Sequence, residues 1–324
     1  MPERKLLFFG NGLGMSLDPN QFDLRNALRS VWDSDALTQD QKRLISRCLP
    51  QDREVEHPIE EDELGPVQQA LVACDILIRL SAGGEPGWLS PHGVEFPSAV
   101  RSFIHNVACH FFDSELGLHD YFLNPLVDFI NATNSHVATT NYDNLLYQPF
   151  IERGVLRGLD GPLVDGMFNR GFSAENLERR YGRSFGVYMH LHGSPLYYDD
   201  DDGLIKKMKQ PQLAENRGTP SRHIVLTNIR YKSAVIYNSY LLSSYADYFE
   251  RAINEASEIV VVGYGGGDTH LNSRIRRLGR EKPIRVVERE AQRPHEDRLN
   301  FWRPKLGSQT NLVQLPSILE FNDW

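Results

Sequence analysis

Residues 258–268 constrain this chain more than any other stretch. Ile259-Val260-Val261-Val262 is an unbroken β-branched run, and it enters Gly263-Tyr264-Gly265-Gly266-Gly267-Asp268 with no polar residue between. A strand that is apolar at every position is buried on both faces, as in parallel sheets covered by helices. Glycines after such a strand let the backbone come close to a ligand, and the carboxyl edge is where open α/β sheets bind one.

The same grammar recurs along the chain. Leu6 to Phe9 reads as a second buried strand, followed by Gly10-Asn11-Gly12-Leu13-Gly14-Met15-Ser16. Val137 to Thr140 leads into Asn141-Tyr142-Asp143, with a helix expected to carry Leu145, Leu146 and Phe150. Val187 to Leu191 ends at His192-Gly193, His223 to Thr227 reads as a further strand, and Pro283 to Glu288 closes the series with a carboxylate at its end. Strands alternating with helical patterns predict a parallel, Rossmann-like α/β sheet. Asn141 and Asp143 are also ordinary turn and helix-cap residues, and His192 an ordinary strand-end residue. It is their recurrence at strand ends that points to a nucleotide pocket with one titratable imidazole.

Between the first two strands, residues 35–133 read as mostly helical, with apolar residues at helical spacing over Leu64 to Leu80, Phe96 to Phe112 and His119 to Ile130. The loop from Ser81 to Trp88 separates the first two. So long a connection is expected to be a helical insertion within one domain spanning residues 1–324. Ala234 to Ile253 is predicted to be one long amphipathic helix, and Tyr197-Tyr198-Asp199-Asp200-Asp201-Asp202 a solvated loop.

Composition narrows the function classes. A net charge of −8, with lysines and arginines scattered, argues against a nucleic-acid backbone as partner. The first apolar run is too short for a signal peptide, and no run is long enough to span a bilayer, so a cytoplasmic protein is expected. Cys48, Cys74 and Cys109 are widely spaced with no C-x-x-C, so neither a disulfide framework nor the usual structural zinc site is encoded, and no metal is expected.

The order Gly-x-Gly, then Thr140-Asn141-Tyr142-Asp143, then Leu191-His192-Gly193, then Val261-Val262-Gly263-Tyr264-Gly265 resembles the sirtuins. It is more similar still to the bacterial sirtuin-like proteins that hydrolyse NAD in phage defence. The resemblance covers most of the chain, least so the helical insertion and the region around 155–185. It implies a Rossmann-like fold binding NAD. Asn141 and His192 take the catalytic positions, Asn141 contacting the nicotinamide ribose and positioning the attacking group. Gly10 and Gly12 take the phosphate loop, Asp143 the acidic residue ordering the pocket, Gly263 and Gly265 the turn beside the adenosine half, and Glu288 a ribose-binding position. Asn11, Ser16, Tyr264 and Asp268 are counted with them as cofactor-binding.

Two departures matter. Gly14 stands where sirtuins usually have a serine, with Ser16 two residues on, and the zinc-binding cysteine pairs are missing. With no zinc module and hence no peptide cleft implied, water is the expected acceptor. The expected activity is hydrolysis of NAD, as substrate, to ADP-ribose and nicotinamide, as the effector of an anti-phage, abortive-infection system. The alternatives are a non-catalytic sensor of NAD or an ADP-ribose derivative, and a zinc-less protein deacylase. Because an uncontrolled NAD hydrolase is toxic, control is expected through a homo-oligomer or a separate activating protein, for example a ring ATPase.

Overall fold

The computed structural model describes residues 3–50, 54–81, 87–168, 171–180, 182–208, 220–290 and 293–324. The expected loop between Ser81 and Trp88 lies largely outside them. At its centre is a seven-stranded sheet in the order β11-β10-β9-β1-β2-β6-β3, every pair parallel. The strands are β1 (Leu6–Phe9), β2 (His136–Thr139), β3 (Leu163–Val164), β6 (Gly186–His190), β9 (Ile259–Val262), β10 (Ile284–Arg289) and β11 (Thr310–Leu315). This is the parallel α/β sheet that the uninterrupted apolar runs predict. Two small antiparallel pairs flank it: β4 (Met167–Phe168) with β5 (Gly171–Phe172), and β7 (Tyr197–Asp199) with β8 (Ile205–Lys207).

The period of a strand divides the core in two. Leu7 and Phe9 face one apolar cluster, Leu6 and Phe8 the other, and all four are fully buried. The first cluster includes the helices between β1 and β2: α1 (Gly12–Leu17), α2 (Pro19–Phe22), α3 (Leu24–Asp33), α4 (Gln39–Ser46), α5 (Leu64–Leu80), α6 (Pro91–Phe112) and α7 (Asp120–Thr133). Residue 35 marks no break in this packing, since Trp32 of α3 meets Phe103 of α6 edge-on at 5.9 Å. The short helix α8 (Tyr147–Glu152) follows β2. The second cluster lies under α10 (Tyr240–Glu255), α11 (Thr269–Leu278) and α12 (His295–Leu306).

Strand register sets up everything that follows. Phe9 pairs with both Thr139 and Val262, and Thr139 with His190. The next residues, Gly10, Thr140, Leu191 and Gly263, therefore leave the sheet at one level. Connections run from β1 toward β2 on one side and return through β9 on the other, so this edge is a topological switch point.

Three sequence expectations fail here. His223 to Thr227 is not a sheet strand: Ile224 makes one isolated bridge to Gly193, and the Val225 carbonyl accepts from the Tyr142 hydroxyl at 2.5 Å. Its apolar residues are buried instead, Val225 in the core and Leu226 in the wall of a pocket. The long helix is two, α9 (Ile229–Tyr237) and α10, because Ser239 leaves the helix and caps the second with its side chain on the Leu242 amide; Tyr237 and Tyr240 are consequently exposed. The acidic run begins as strand β7, its Asp200 side chain closing the hairpin onto the Leu204 amide.

Candidate active site

The two glycine turns are bound to each other. Gly10 donates to the Val262 carbonyl at 3.0 Å and Gly12 to the Gly263 carbonyl at 2.8 Å. A Cβ on Gly12 would stand 2.5 Å from the Gly263 Cα, so glycine is required here first by backbone packing. Gly193, with φ +82, is needed for both reasons, since a Cβ would overlap the His223 carbonyl at 1.6 Å.

Beside these turns lies a pocket of about 160 Å³ lined by Asn11, Leu24, Glu61, Phe111, Thr140, Asn141, Tyr142, Asp143, His192, Leu226, Lys232 and Asp268. A larger hollow of about 590 Å³, bordered by Ser30, Ala36, Asn106 and His110, lies away from the strand ends. Of the two, the smaller one gathers polar groups from the turns after four strands, β1, β2, β6 and β9.

Within it Asn141 is fixed by its amide, which donates to the Gly10 carbonyl at 3.1 Å, while its side-chain oxygen is buried without a protein partner. Asp143 accepts from the Leu145 amide through one oxygen at 3.1 Å, and its other oxygen is also buried and unpaired. Burial pushes this carboxyl up to about 6. His192 is 4% exposed, and its Nε2 too has no hydrogen-bond partner. Burial, then the Lys232 charge, brings the imidazole down to about 3, so it is neutral at pH 7. Buried polar atoms without partners are uncommon in native proteins. The residues that carry three of them, Asn141, Asp143 and His192, line one pocket, which marks it as a place for a polar ligand.

Three of the remaining sequence candidates, Tyr264, Ser16 and Glu288, fall elsewhere. Tyr264 is core, packed on Phe8 and Trp302, and its hydroxyl braces the turn by accepting from the Asp268 amide at 3.0 Å. Ser16 lies on α1, outside the pocket lining. Gly265 borders open space, with nothing within 4 Å of a Cβ built there. The Glu288 carboxylate is engaged by Arg298 at 2.5 Å and by the Trp302 indole at 2.9 Å, which leaves it little capacity for a ribose. The sequence reading missed Lys232 and Glu61. Lys232 lies just outside the predicted helix Ala234 to Ile253, and Glu61 stands in the acidic stretch Glu60-Glu61-Asp62-Glu63.

The sequence profile of the SIR2-like domain matches residues 135–303. The chain belongs to the SIR2-like family. The matched span includes the ends of β2, β6 and β9 and leaves out the glycine turn after β1. A sirtuin-type, NAD-binding class of function follows from membership of the SIR2-like family. Among curated proteins, none matches the chain. A solved structure described as "Structural Basis for the Mechanism and Regulation of Sir2 Enzymes" aligns over 98% of this chain and 90% of its own, at 12% identity and a TM-score of 0.39. Among the described residues no helix is long and apolar enough to cross a membrane, and no group of three or more His, Cys, Asp or Glu side chains is placed to hold a metal ion.

Proposed function

We propose that this SIR2-like protein hydrolyses NAD to ADP-ribose and nicotinamide, and that it does so as the effector of an anti-phage, abortive-infection response. The supporting observation is the convergence of three buried, unpaired polar atoms, on Asn141, Asp143 and His192, in one pocket at the switch point of the sheet. The reaction breaks the bond between the nicotinamide nitrogen and the ribose carbon, adds water at that carbon and releases one proton. Oxocarbenium character develops on the ribose, so the protein's work is to hold the ring, place water and take the proton.

The Asn141 side-chain oxygen offers a fixed acceptor for a ribose hydroxyl or water. Neutral His192, whose Nε2 has no hydrogen-bond partner, lines the same pocket. Asp143, pushed up to about 6, has the proton affinity closest to neutral pH and is the better matched proton acceptor of the two. At about 160 Å³ the pocket is smaller than the roughly 300–1,000 Å³ of small-molecule sites, so it accepts one end of a dinucleotide as it stands. Control by self-assembly or by a partner protein is part of the proposal.

The experiment is incubation of the purified protein with NAD and quantification of free nicotinamide, across protein concentrations that vary its assembly. Release is expected. Binding of NAD with no release in any assembly state would replace this reading with a non-catalytic sensor.

A further inference from the structure

Lys232 belongs to none of the strand-end motifs, yet it is 3% exposed and its side chain runs from α9 into the pocket. Its Nζ stands 2.5 Å from Asp268 Oδ1 and 2.9 Å from the Glu61 carboxylate, which comes from the 3₁₀ turn Glu61–Glu63 just before α5. Asp268 Oδ1 is also the oxygen that faces His192, 3.8 Å from Nε2. One carboxylate oxygen thus has two nitrogen neighbours. The lysine holds it at hydrogen-bond distance, and the imidazole stands beyond hydrogen-bond reach.

The groups around His192 are few. His270, on α11, stacks on it with ring centres 6.2 Å apart. Asp268 precedes that helix, Lys232 lies across from it, Asp143 shares the pocket, and Glu61 stands behind Lys232. Of these, the structure puts Asp268 within ion-pair range of Nε2.

We propose that Lys232 is a positioning residue for His192: by occupying Asp268 Oδ1, anchored from behind by Glu61 of the helical region, it keeps Asp268 from binding the imidazole and leaves Nε2 turned toward the substrate. The consequence for rate rests on the NAD-cleaving reading, whereas the consequence for His192 itself does not. Without the lysine, buried Asp268 and partly exposed Glu61 lose their cation, and His192 is the imidazole that stands within ion-pair range of Asp268. The imidazole then takes a proton and closes onto Asp268. That direction agrees with the present state, in which burial and then the Lys232 charge hold it down to about 3. It also gives the helical region a reach into the site, since Glu61 and Lys232 are 171 residues apart in sequence.

The test follows the His192 ring carbon resonance by NMR in histidine-labelled protein, assigned with His192→Ala, from pH 5 to 8. In the wild type His192 is expected to stay neutral throughout. In Lys232→Met it should titrate within that range, in Lys232→Arg it should behave as wild type, and in Lys232→Met/Asp268→Asn it should be neutral again. Nicotinamide release at pH 7 should fall at least tenfold in kcat for Lys232→Met, with a smaller change in KM, and recover in part when Asp268→Asn is added. If Lys232→Met does not fold, Lys232→Met/Glu61→Gln removes the pair without changing net charge and should show the same titration. A His192 titration unmoved by both variants overturns the proposal, as does a rate lost without recovery by Asp268→Asn. A wild type that releases no nicotinamide overturns the NAD-cleaving reading and leaves the NMR test standing.

Discussion

His190 and His192 are two residues apart at the end of one strand, both buried, and each is brought down to about 3 chiefly by burial. The His192 Nε2 has no hydrogen-bond partner, whereas the His190 ring lies against the Asn141 backbone. What else surrounds each ring differs. His190 is enclosed by the rings of Tyr147, Tyr188 and Tyr197, with centroids 5.0, 4.9 and 5.7 Å away. The polar groups beyond those rings satisfy one another: Asp165 takes the Tyr147 hydroxyl and the Lys207 ammonium, the latter at 3.0 Å. His192 faces a pocket and an ion pair instead. Burial and a displaced proton affinity therefore do not separate a working histidine from a packed one. What each ring faces does.

The largest effect expected from this contrast is kinetic. Asn141→Ala and His192→Ala should each lower kcat for nicotinamide release by about a hundredfold to ten-thousandfold, on the order of 3 kcal/mol or more in the barrier, with NAD affinity changed far less. His190→Ala should do the reverse, costing roughly 2–4 kcal/mol of stability through the cavity it leaves while kcat stays within a few-fold. Steady-state kinetics beside urea unfolding separate the two. A folded His190→Ala protein without turnover would erase the distinction.

Next in size is the response to acid. His136, His190, His192 and His270 are all shifted down by burial, so between their folded values and about 6.5 the unfolded chain binds more protons than the folded one. Stability is thus present above about pH 6.5 and is lost as pH falls below it, by about 2 kcal/mol at pH 5 for a fully buried histidine such as His190. Asp143, shifted up, opposes this weakly, since its folded form gains protons as pH falls through about 6. Replacing His190 by Met, which fills similar space without a titrating group, should flatten the loss between pH 7 and pH 5 in urea unfolding. An unchanged slope would mean that His190 is not neutral in the folded protein.

The smallest effect carries the contrast to the backbone. A Cβ on Gly265 meets nothing, so Gly265→Ala should leave stability within about 0.5 kcal/mol while weakening NAD binding if the turn borders the ligand. Calorimetric titration beside thermal melting decides it, and unaltered affinity would remove Gly265 from the site.

How much of this was legible depends on the range over which each cause acts. Buried parallel strands write themselves as apolar runs, so β1, β2, β6, β9 and β10 could be found within a residue or so, and with them the strand ends that carry Asn141 and His192. Ile224 to Leu226 wrote the same signal for a different reason, as a buried segment past the end of β6 that joins the sheet through one isolated bridge. β11 was missed because it is an edge strand whose Asn311 and Gln314 hide the pattern. Glu288 sits at its expected strand end, but its partner Arg298 arrives from the following helix, which no local pattern announces. Lys232 and Glu61 were illegible for the same reason. Only the fold brings them together and sets Lys232 on Asp268.

The place of β1 also decides when this protein can be finished. Leu6–Phe9 needs β2 on one side and β9 on the other, and Phe9 is registered with Val262. At roughly 5–20 residues per second, a ribosome delivers that second neighbour on the order of ten to fifty seconds after the first strand. In the interval the α3 to α7 region, rich in local contacts, can form, while one edge of a wholly apolar strand stays open. Nascent chains halted before residue 259 thus carry an unpaired hydrophobic edge, the kind of surface that seeds association. For this topology, the slow step is waiting for sequence.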